Sequence, residues 1–316
     1  MSEPLLSVCL ITYNHVKYIG EAIDGVLMQK FSFSWELIIA DDCSTDGTRE
    51  IILNYKEKHP EFIKLILQEK NVGSAQNWMD LITSPKSKYI SYFEGDDYWT
   101  DPYKLQKQVD FLEANNDYGL VHHEADYLFE KNKTLIKNHH KTNQIVASNG
   151  SVFEELLKNN NIYTPSVVFR TSLFHHFTNI DKMDRNNFLM GDYVMWLAFA
   201  PHCKFHYIPQ SMAVYRVIDG SASKSVTYEK AMLFLNSYFD IKLYFLKKYP
   251  VKSVTEKEIE QSRISMSIST AIKHKQTKEA RKFAAMLNTN DWKNVLKRIL
   301  IFSPVLFRYI QRKNKL

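Results

Sequence analysis

The first 115 residues alternate between two apolar patterns. LLSVCLITYN (5–14), WELIIADD (35–42), FIKLILQE (62–69) and KYISYFEGDD (88–97) are short, nearly unbroken apolar runs that predict buried strands. Between them, HVKYIGEAIDGVLMQ (15–29) sets Val16, Ile19, Ile23, Val26 and Leu27 at helical spacing. STDGTREIILNYKEKHP (44–60) opens on capping residues and predicts a helix ending at His59–Pro60, and SAQNWMDLI (74–82) predicts a short one. In DPYKLQKQVDFLEAN (101–115), Asp101 is the expected N-cap and Pro102 the first helical residue, with Leu105, Val109 and Leu112 on one face. Strands alternating with helices give βαβ units: an α/β, Rossmann-like, mostly parallel sheet flanked by helices.

Beyond residue 120 the pattern loosens. GLVHHEADYLFE (119–130) predicts a strand or hairpin arm, and IVASNGSVFEELLKNN a loop then a helix. YTPSVVFRTSLF (163–174) predicts a strand entering a helix, MGDYVMWLAFA (190–200) a helix, and FHYIPQSMAVYRV (205–217) an extended segment. From residue 227 onward the periodicity is helical.

Composition adds that this is an ordinary soluble chain, 45% hydrophobic and 24% charged over 316 residues. Cys9, Cys43 and Cys203 form no CxxC pair, which disfavours a disulfide framework or a zinc site and suits a reducing cytoplasm. MSEPLLSVCLITYN lacks the basic flank and long apolar stretch of a secretory signal, and no uncharged run nears the roughly 20 residues of a membrane span. The net charge of +6 is uneven: residues 270–316 carry twelve Lys/Arg against two Asp/Glu, so everything before them sums to −4. Body and tail are expected to do different things.

In open parallel sheets, ligands bind outside the carboxyl ends of the strands. The first strand ends at Thr12, Tyr13 and Asn14, the second at Asp41 and Asp42, the fourth at Glu94, Asp96 and Asp97. Two acidic strand ends on one rim suit a hard divalent cation, Mg²⁺ or Mn²⁺, bound by one or two carboxylates and completed by substrate phosphates. A solvated turn is the other reading of YFEGDDYWTDP (92–102), although Trp99 and Pro102 would anchor it.

SVCLITYNHVKYIGEAIDGVLMQ, ELIIADDCSTDGT, KNVGSAQNW and YISYFEGDDYWTDPYKLQKQVDFLE, in that order, resemble the successive motifs of family 2 glycosyltransferases of the GT-A fold. The likeness is strong over about residues 5–115 and weaker to about 225. It implies a transferase domain over 1–225, with a donor half to about 118 and an acceptor half from 119, then a smaller helical, basic region over 226–316. It implies that Asp41 or Asp42 contacts the nucleotide base, and that Thr12, Tyr13 and Asn14 line the nucleotide pocket. EGDD stands at the family's metal-binding DxD motif, with Glu94 replacing the first Asp and Asp96 as the expected metal ligand. Asp97 would touch the sugar or organise the loop, and Trp99 and His122 would lie near sugar or acceptor. Capping explains Asp46 and Thr48 better than ligand contact does.

LMGDYVMW resembles the family's Glu-Asp helix start, which makes Asp192 the general base for the acceptor hydroxyl, with helix capping as its other role. Gly191 replaces the usual Glu. YRVIDGSAS (215–223) resembles the segment closing over the diphosphate, where Arg216 would pair with phosphate oxygens. Ile218 stands where many relatives have a His ligand. The implied reaction is a single inverting displacement from a nucleoside-diphosphate sugar, UDP-linked by family habit, to a hydroxyl of a glycan or lipid-linked acceptor in cell-surface polysaccharide synthesis. A non-catalytic, degenerate transferase docked at a membrane is the alternative. A sugar nucleotidyltransferase would need a Gly-rich phosphate loop after the first strand, which ITYNHVKYIG does not offer.

The tail WKNVLKRILIFSPVLFRYIQRKNKL (292–316) mixes basic and large apolar residues. It suits a helix on an anionic membrane, at the inner face of the plasma membrane, or one packing on its own domain with a solvated end. Pro304 would kink it. No motif supports nucleic-acid binding. The helices after 227 suit a homo-oligomer as well as a monomer.

Overall fold

The computed structural model describes residues 3–178, 188–218, 227–288 and 292–303. The chain divides into two compact units, residues 1–185 with 191–217, and residues 186–190 with 218–316.

The first unit is built on one nine-stranded sheet. Strands β1 (Leu6–Thr12), β2 (Trp35–Asp41), β3 (Ile63–Leu67) and β4 (Tyr89–Glu94) alternate with helices α1 (Ile19–Leu27), α2 (Thr48–Lys58) and α3 (Ser74–Thr83). β1 pairs in parallel with β2 and β4, and β2 with β3, as the apolar runs predict. The register matters for function. Thr12 pairs with Asp41 and Ile11 with Glu94, so three strand ends reach one rim together. The core beneath them is continuous from Leu10, Ile39 and Phe93 to Ile23 and Val26 of α1. α1 lies so close to the short strand β5 (Tyr98–Trp99) that a side chain on Gly25 would meet the Trp99 backbone nitrogen at 2.9 Å.

The helix after β5 begins later than the sequence suggests. α4 spans Lys104–Ala114, and Asp101 instead closes the preceding turn by accepting from Tyr103 N at 2.7 Å. This helix carries a buried polar row. Lys104 Nζ donates to Gln108 Oε1 at 2.9 Å, and Gln108 Nε2 donates to the carbonyls of Val121 and Ser166. The row joins α4 to the long strand β6 (Tyr118–Phe129), whose short partner β7 (Thr134–Ile136) leads into helix α5 (His139–Thr142). Helix α6 (Phe153–Lys158), a 3-10 turn at Thr164–Ser166, β8 (Val168–Arg170), α7 (Thr171–Phe177), α8 (Gly191–Phe199) and β9 (Lys204–Val217) complete the unit. The strand order is β3-β2-β1-β4-β8-β6-β9-β5, with β7 on β6. β8 runs antiparallel between β4 and β6, so the later half of the sheet is mixed.

The second unit is helical where described: α9 (Tyr228–Lys248), α10 (Glu256–Lys273), α11 (Thr277–Ala285) and α12 (Trp292–Phe302). α10 starts at a reciprocal cap between Thr255 and Glu258. Ile264, Ile268, Ala280, Ala284 and Ile301 form its core. α12 buries Ile301 but leaves Val295, Leu296, Ile299 and Phe302 exposed along its other side. No described helix is long and apolar enough to cross a membrane. The rest of the basic tail, with Pro304, lies outside the described residues, as do residues 219–223 of YRVIDGSAS.

Candidate active site

The rim is held together by its own loops. Asn14 sits in the left-handed region (φ 56°), donates its N–H to Ser44 Oγ at 2.8 Å and accepts from Thr45 N at 2.9 Å. It thereby laces the β1 loop to the β2 loop. Asp46 continues the lacing, accepting from Val16 N and from both the N–H and hydroxyl of Thr48. Tyr13 and Asn14 face solvent, whereas Thr12 is buried with its hydroxyl 3.1 Å from His15 Nδ1.

Asp41 and Asp42 are also buried, and both are bonded to protein. Asp41 pairs with Arg49 Nε at 2.6 Å, and Arg49 in turn donates to Gln68 O. Asp42 accepts from Val72 N at 2.7 Å and Gly73 N at 3.0 Å, which fixes the loop that opens α3. Their carboxylates brace the wall from which Tyr13 and Asn14 project.

EGDD forms a tight turn with different roles for its carboxylates. Asp97 N donates to Glu94 O, and Asp97 Oδ1 accepts from Arg216 N at 2.7 Å. Asp97 therefore organises the loop. Asp96 is buried, and its Oδ1 has no hydrogen-bond partner. Burial raises its carboxyl, against the pull of His15 and Arg216. Glu94 is open to solvent on one side and hemmed by protein on the others. Burial, then Asp96, then Asp192 push it up to about 8. Gly95 is required between them, since a side chain there would meet Thr12 Oγ1 at 2.8 Å.

Positive charge does sit at this turn, on its far side. The Arg216 guanidinium donates to Asp96 O (2.7 Å), Glu130 (3.1 Å) and Glu21 (2.5 Å), between the rings of Tyr18 and Tyr98. The phosphate partner expected for Arg216 is thus replaced, in this structure, by two carboxylates and a carbonyl. Arg216→Ala is expected to cost about 2 kcal/mol, because Glu21 and Glu130 lose their partner and the 96–97 turn loses its brace. Thermal unfolding measures this as a drop of about 4–8 °C. Lysine should recover only part of it, since an ammonium does not span the fork.

Asp192 opens α8. Its Oδ2 accepts from Thr164 Oγ1 at 3.2 Å. Burial raises its carboxyl, while the Tyr193 N–H and Thr164 hold it down. The neighbouring Gly191 is explained by packing: a Cβ there would fall 2.9 Å from Trp78 Cε2, leaving no room for the family's Glu.

Two expectations need correction. His122 lies inside β6, fully buried, with Nε2 2.6 Å from Ser148 O, and burial pushes its imidazole down to about 4. It is a neutral core histidine, not an acceptor contact. Trp99 is buried too. Its Nε1 donates to Pro165 O at 2.9 Å, and its ring packs on Phe93 and under Lys104. It anchors the turn and does not touch a sugar. Conversely, the sequence reading passed over His15, Thr164, Glu21 and Glu130. His15 had a local signal, since it follows TYN directly and lies three residues from Thr12.

The fit to a divalent cation rests on Asp96 Oδ1, a buried oxygen without a donor, beside Glu94. Among the described residues no group of three or more His, Cys, Asp or Glu side chains is arranged to hold a metal. Two carboxylates plus ligand oxygens are therefore what the chain offers, which suits Mg²⁺ or Mn²⁺ bound together with a diphosphate.

Comparison with known proteins agrees with this geometry. Residues 7–177 match the model of glycosyl transferase family 2. An uncharacterized protein of Mycobacterium tuberculosis is 34% identical over 211 residues, 67% of this chain and 58% of the relative. The match thus spans less than two thirds of that relative's length. An Escherichia coli protein named UDP-Glc:alpha-D-GlcNAc-diphosphoundecaprenol beta-1,3-glucosyltransferase is 28% identical over 200 residues, covering 63% of this chain and 70% of that one. Among solved structures, a mannosyltransferase from Pyrobaculum calidifontis, in complex with GDP-Man and Mn²⁺, superposes with a TM-score of 0.59 at 14% identity, over 100% of this chain and 85% of that one. That likeness carries the GT-A fold alone. With the matched motifs ending on the rim described above, the chain belongs to glycosyl transferase family 2.

Proposed function

We propose that the protein transfers a sugar, with inversion, from a nucleoside-diphosphate sugar to a hydroxyl of a glycan or lipid-linked acceptor. The observation that carries this reading is that the matched strands end at Thr12, Asp41 and Glu94 on one rim, with Asp96 and Asp192 near enough to Glu94 to raise its carboxyl. A transferase needs a base on one side of the anomeric carbon and charge compensation for the leaving diphosphate on the other. A divalent ion held by Glu94 and Asp96 would supply that compensation when bound.

Asp192 takes the acceptor proton in this scheme. Thr164 and the Tyr193 N–H orient the carboxylate, and the raised carboxyl brings the base closer to working pH. Tyr13 and Asn14, the exposed pair on the rim, line the nucleotide pocket over the wall braced by Asp41 and Asp42. Inversion is supported by the placement of one base and by the want of a nucleophilic carboxylate bonded for double displacement. Uridine is the favoured carrier, as in the name of the E. coli relative, which also supports a lipid-linked acceptor. Mn²⁺ as cofactor is supported by the Pyrobaculum neighbour. The exposed apolar side of α12, with Lys297 and Arg298 in the same helix, supports peripheral attachment to an anionic membrane, where such an acceptor resides.

The test is calorimetric titration of UDP, dTDP and GDP into the full chain with Mn²⁺ and again with EDTA. UDP is expected to bind with Mn²⁺ and to weaken at least tenfold, roughly, without it. Absence of binding by all three under both conditions would overturn the transferase reading.

A further inference from the structure

Beside the carboxylates lies a group of aromatic rings that nothing above uses. Tyr127 of β6 and Tyr215 of β9 are register partners, stacked with centroids 5.0 Å apart. His139 of α5 stacks on Tyr127 at 4.3 Å. Tyr163 stands 5.7 Å from Tyr215 and 6.0 Å from Tyr127, with its hydroxyl 2.5 Å from His139 Nδ1. Two strands, a short helix and the segment before the 3-10 turn thus deliver four rings to one place. All four are half-buried, so each keeps an accessible part.

The position of these rings is fixed at both ends by the catalytic residues. Tyr163 immediately precedes Thr164, which bonds Asp192, and Tyr215 immediately precedes Arg216, whose N–H bonds Asp97. The rings are thus joined through the backbone to the residues that bond the base and the EGDD turn. Burial, then Glu94 and Asp97, raise the phenol of Tyr215, in keeping with that placement.

The cluster is also held rigid. Glu124, buried in β6, accepts from His140 N, His140 Nδ1 and Lys141 N at 3.0–3.1 Å and from Ala125 N at 2.9 Å. These bonds hold its carboxyl down at about 2. They pin α5 to the sheet and with it the His139 ring over Tyr127. A carboxylate clamping a short helix so that one imidazole stacks on a tyrosine is more order than a surface loop needs.

A pyranose presents one face of axial C–H groups and a rim of hydroxyls. The accessible parts of the outer rings and the phenol and imidazole edges match both, the ring carbons by packing and the edges by hydrogen bonds. We infer that Tyr127, His139, Tyr163 and Tyr215 form the stacking platform for the acceptor's terminal sugar. This rests on the transferase reading. It assigns the platform to the acceptor and not the donor because Tyr163 is tied through Thr164 to the base, the group that the acceptor hydroxyl must reach.

The test is saturation-transfer NMR on the full chain with UDP and Mn²⁺, using methyl glycosides of glucose, galactose, mannose, rhamnose, N-acetylglucosamine and N-acetylgalactosamine as probes. At least one glycoside is expected to saturate, most strongly at C–H protons of one ring face. Tyr127→Ala and Tyr215→Ala should weaken that binding by about tenfold, and Tyr127→Phe should retain it, with UDP affinity unchanged in all three. If the alanine variants fail to fold, His139→Leu serves, since it removes a stacking ring at similar bulk. No saturation by any glycoside while UDP binds normally would overturn the platform, as would saturation that survives these variants. Failure of the wild type to bind UDP would overturn the transferase reading and the platform with it.

Discussion

Asp192→Asn is expected to lower kcat by roughly 10³-fold while leaving UDP affinity and the fold intact. The amide keeps an oxygen for the Thr164 hydroxyl and fits the same space, so geometry is preserved. What it removes is the ability to take a proton. A residue that merely capped α8 would give the opposite result, a small loss of stability and near-normal turnover. The same residue sets a pH dependence. Its folded carboxyl is raised above the ordinary 3.8, so the folded state holds a proton that the unfolded chain has released. Its contribution to stability is complete below pH 3.8 and declines as pH rises towards the raised folded value. The Asn variant lacks this decline. The melting temperature of the variant should therefore gain on the wild type as pH rises above about 4, and the wild-type turnover should increase over the same direction of pH as the base ionises. Thermal melts and initial rates across pH 4–9 read both. Equal, measurable turnover of variant and wild type would remove Asp192 from the chemistry and put the base elsewhere, whereas no turnover by either would leave the degenerate, non-catalytic reading in its place.

How much of this was legible beforehand differs between the two halves of the sheet, for a physical reason. β1, β2 and β4 are covered on both faces over most of their length, so they read as nearly unbroken apolar runs, and their parallel pairing brings Thr12, Asp41 and Glu94 to one rim without long-range information. β6 breaks that rule. It buries His122, His123 and Glu124 in succession, a polar triplet whose burial no local pattern signals. Their partners, Ser148 O and the 140–141 backbone, lie 16 or more residues away. Arg216 is the sharper case. Its nearest carboxylate belongs to Glu21, 195 residues earlier, and no spacing rule joins them. Motif resemblance shows which residue types recur at a site and not which are already bonded by protein partners. Trp99 illustrates this. An aromatic beside a sugar site reads as a sugar contact until Pro165 O is seen to accept its N–H. Gly191 runs the other way, a departure from the motif that the ring of Trp78 explains.

Asp96→Asn should show opposite signs in two measurements. Without metal, Glu94, Asp96 and Asp97 repel one another, and Asp96 Oδ1 is buried without a donor. Removing one charge relieves both costs, so in EDTA the variant is expected to melt higher than the wild type, by about 2 °C for a gain near 1 kcal/mol. With Mn²⁺ and UDP the order should reverse. The wild type gains the binding free energy of the complex, whereas the variant has lost an anionic ligand, and its UDP affinity in Mn²⁺ should fall by about 100-fold. Glu94→Gln should behave alike, since burial and the charges of Asp96 and Asp192 also make Glu94 costly to ionise without metal. Asp97→Ala should not. It removes the acceptor of the Arg216 N–H, so the turn loosens and stability falls with and without metal, whereas Asp97→Asn keeps an oxygen for that bond. The crossing of the first two variants against the parallel loss in the third separates ligand carboxylates from the one that shapes the loop. An Asp96→Asn protein that melts lower in EDTA and binds UDP with Mn²⁺ as tightly as the wild type would place the cation elsewhere. A residue crowded at a cost to the empty protein, and relieved only when substrate arrives, is how a binding site trades stability for affinity. On the proposed reading, Glu94 and Asp96 are crowded for the cation and Asp97 for the turn that holds them.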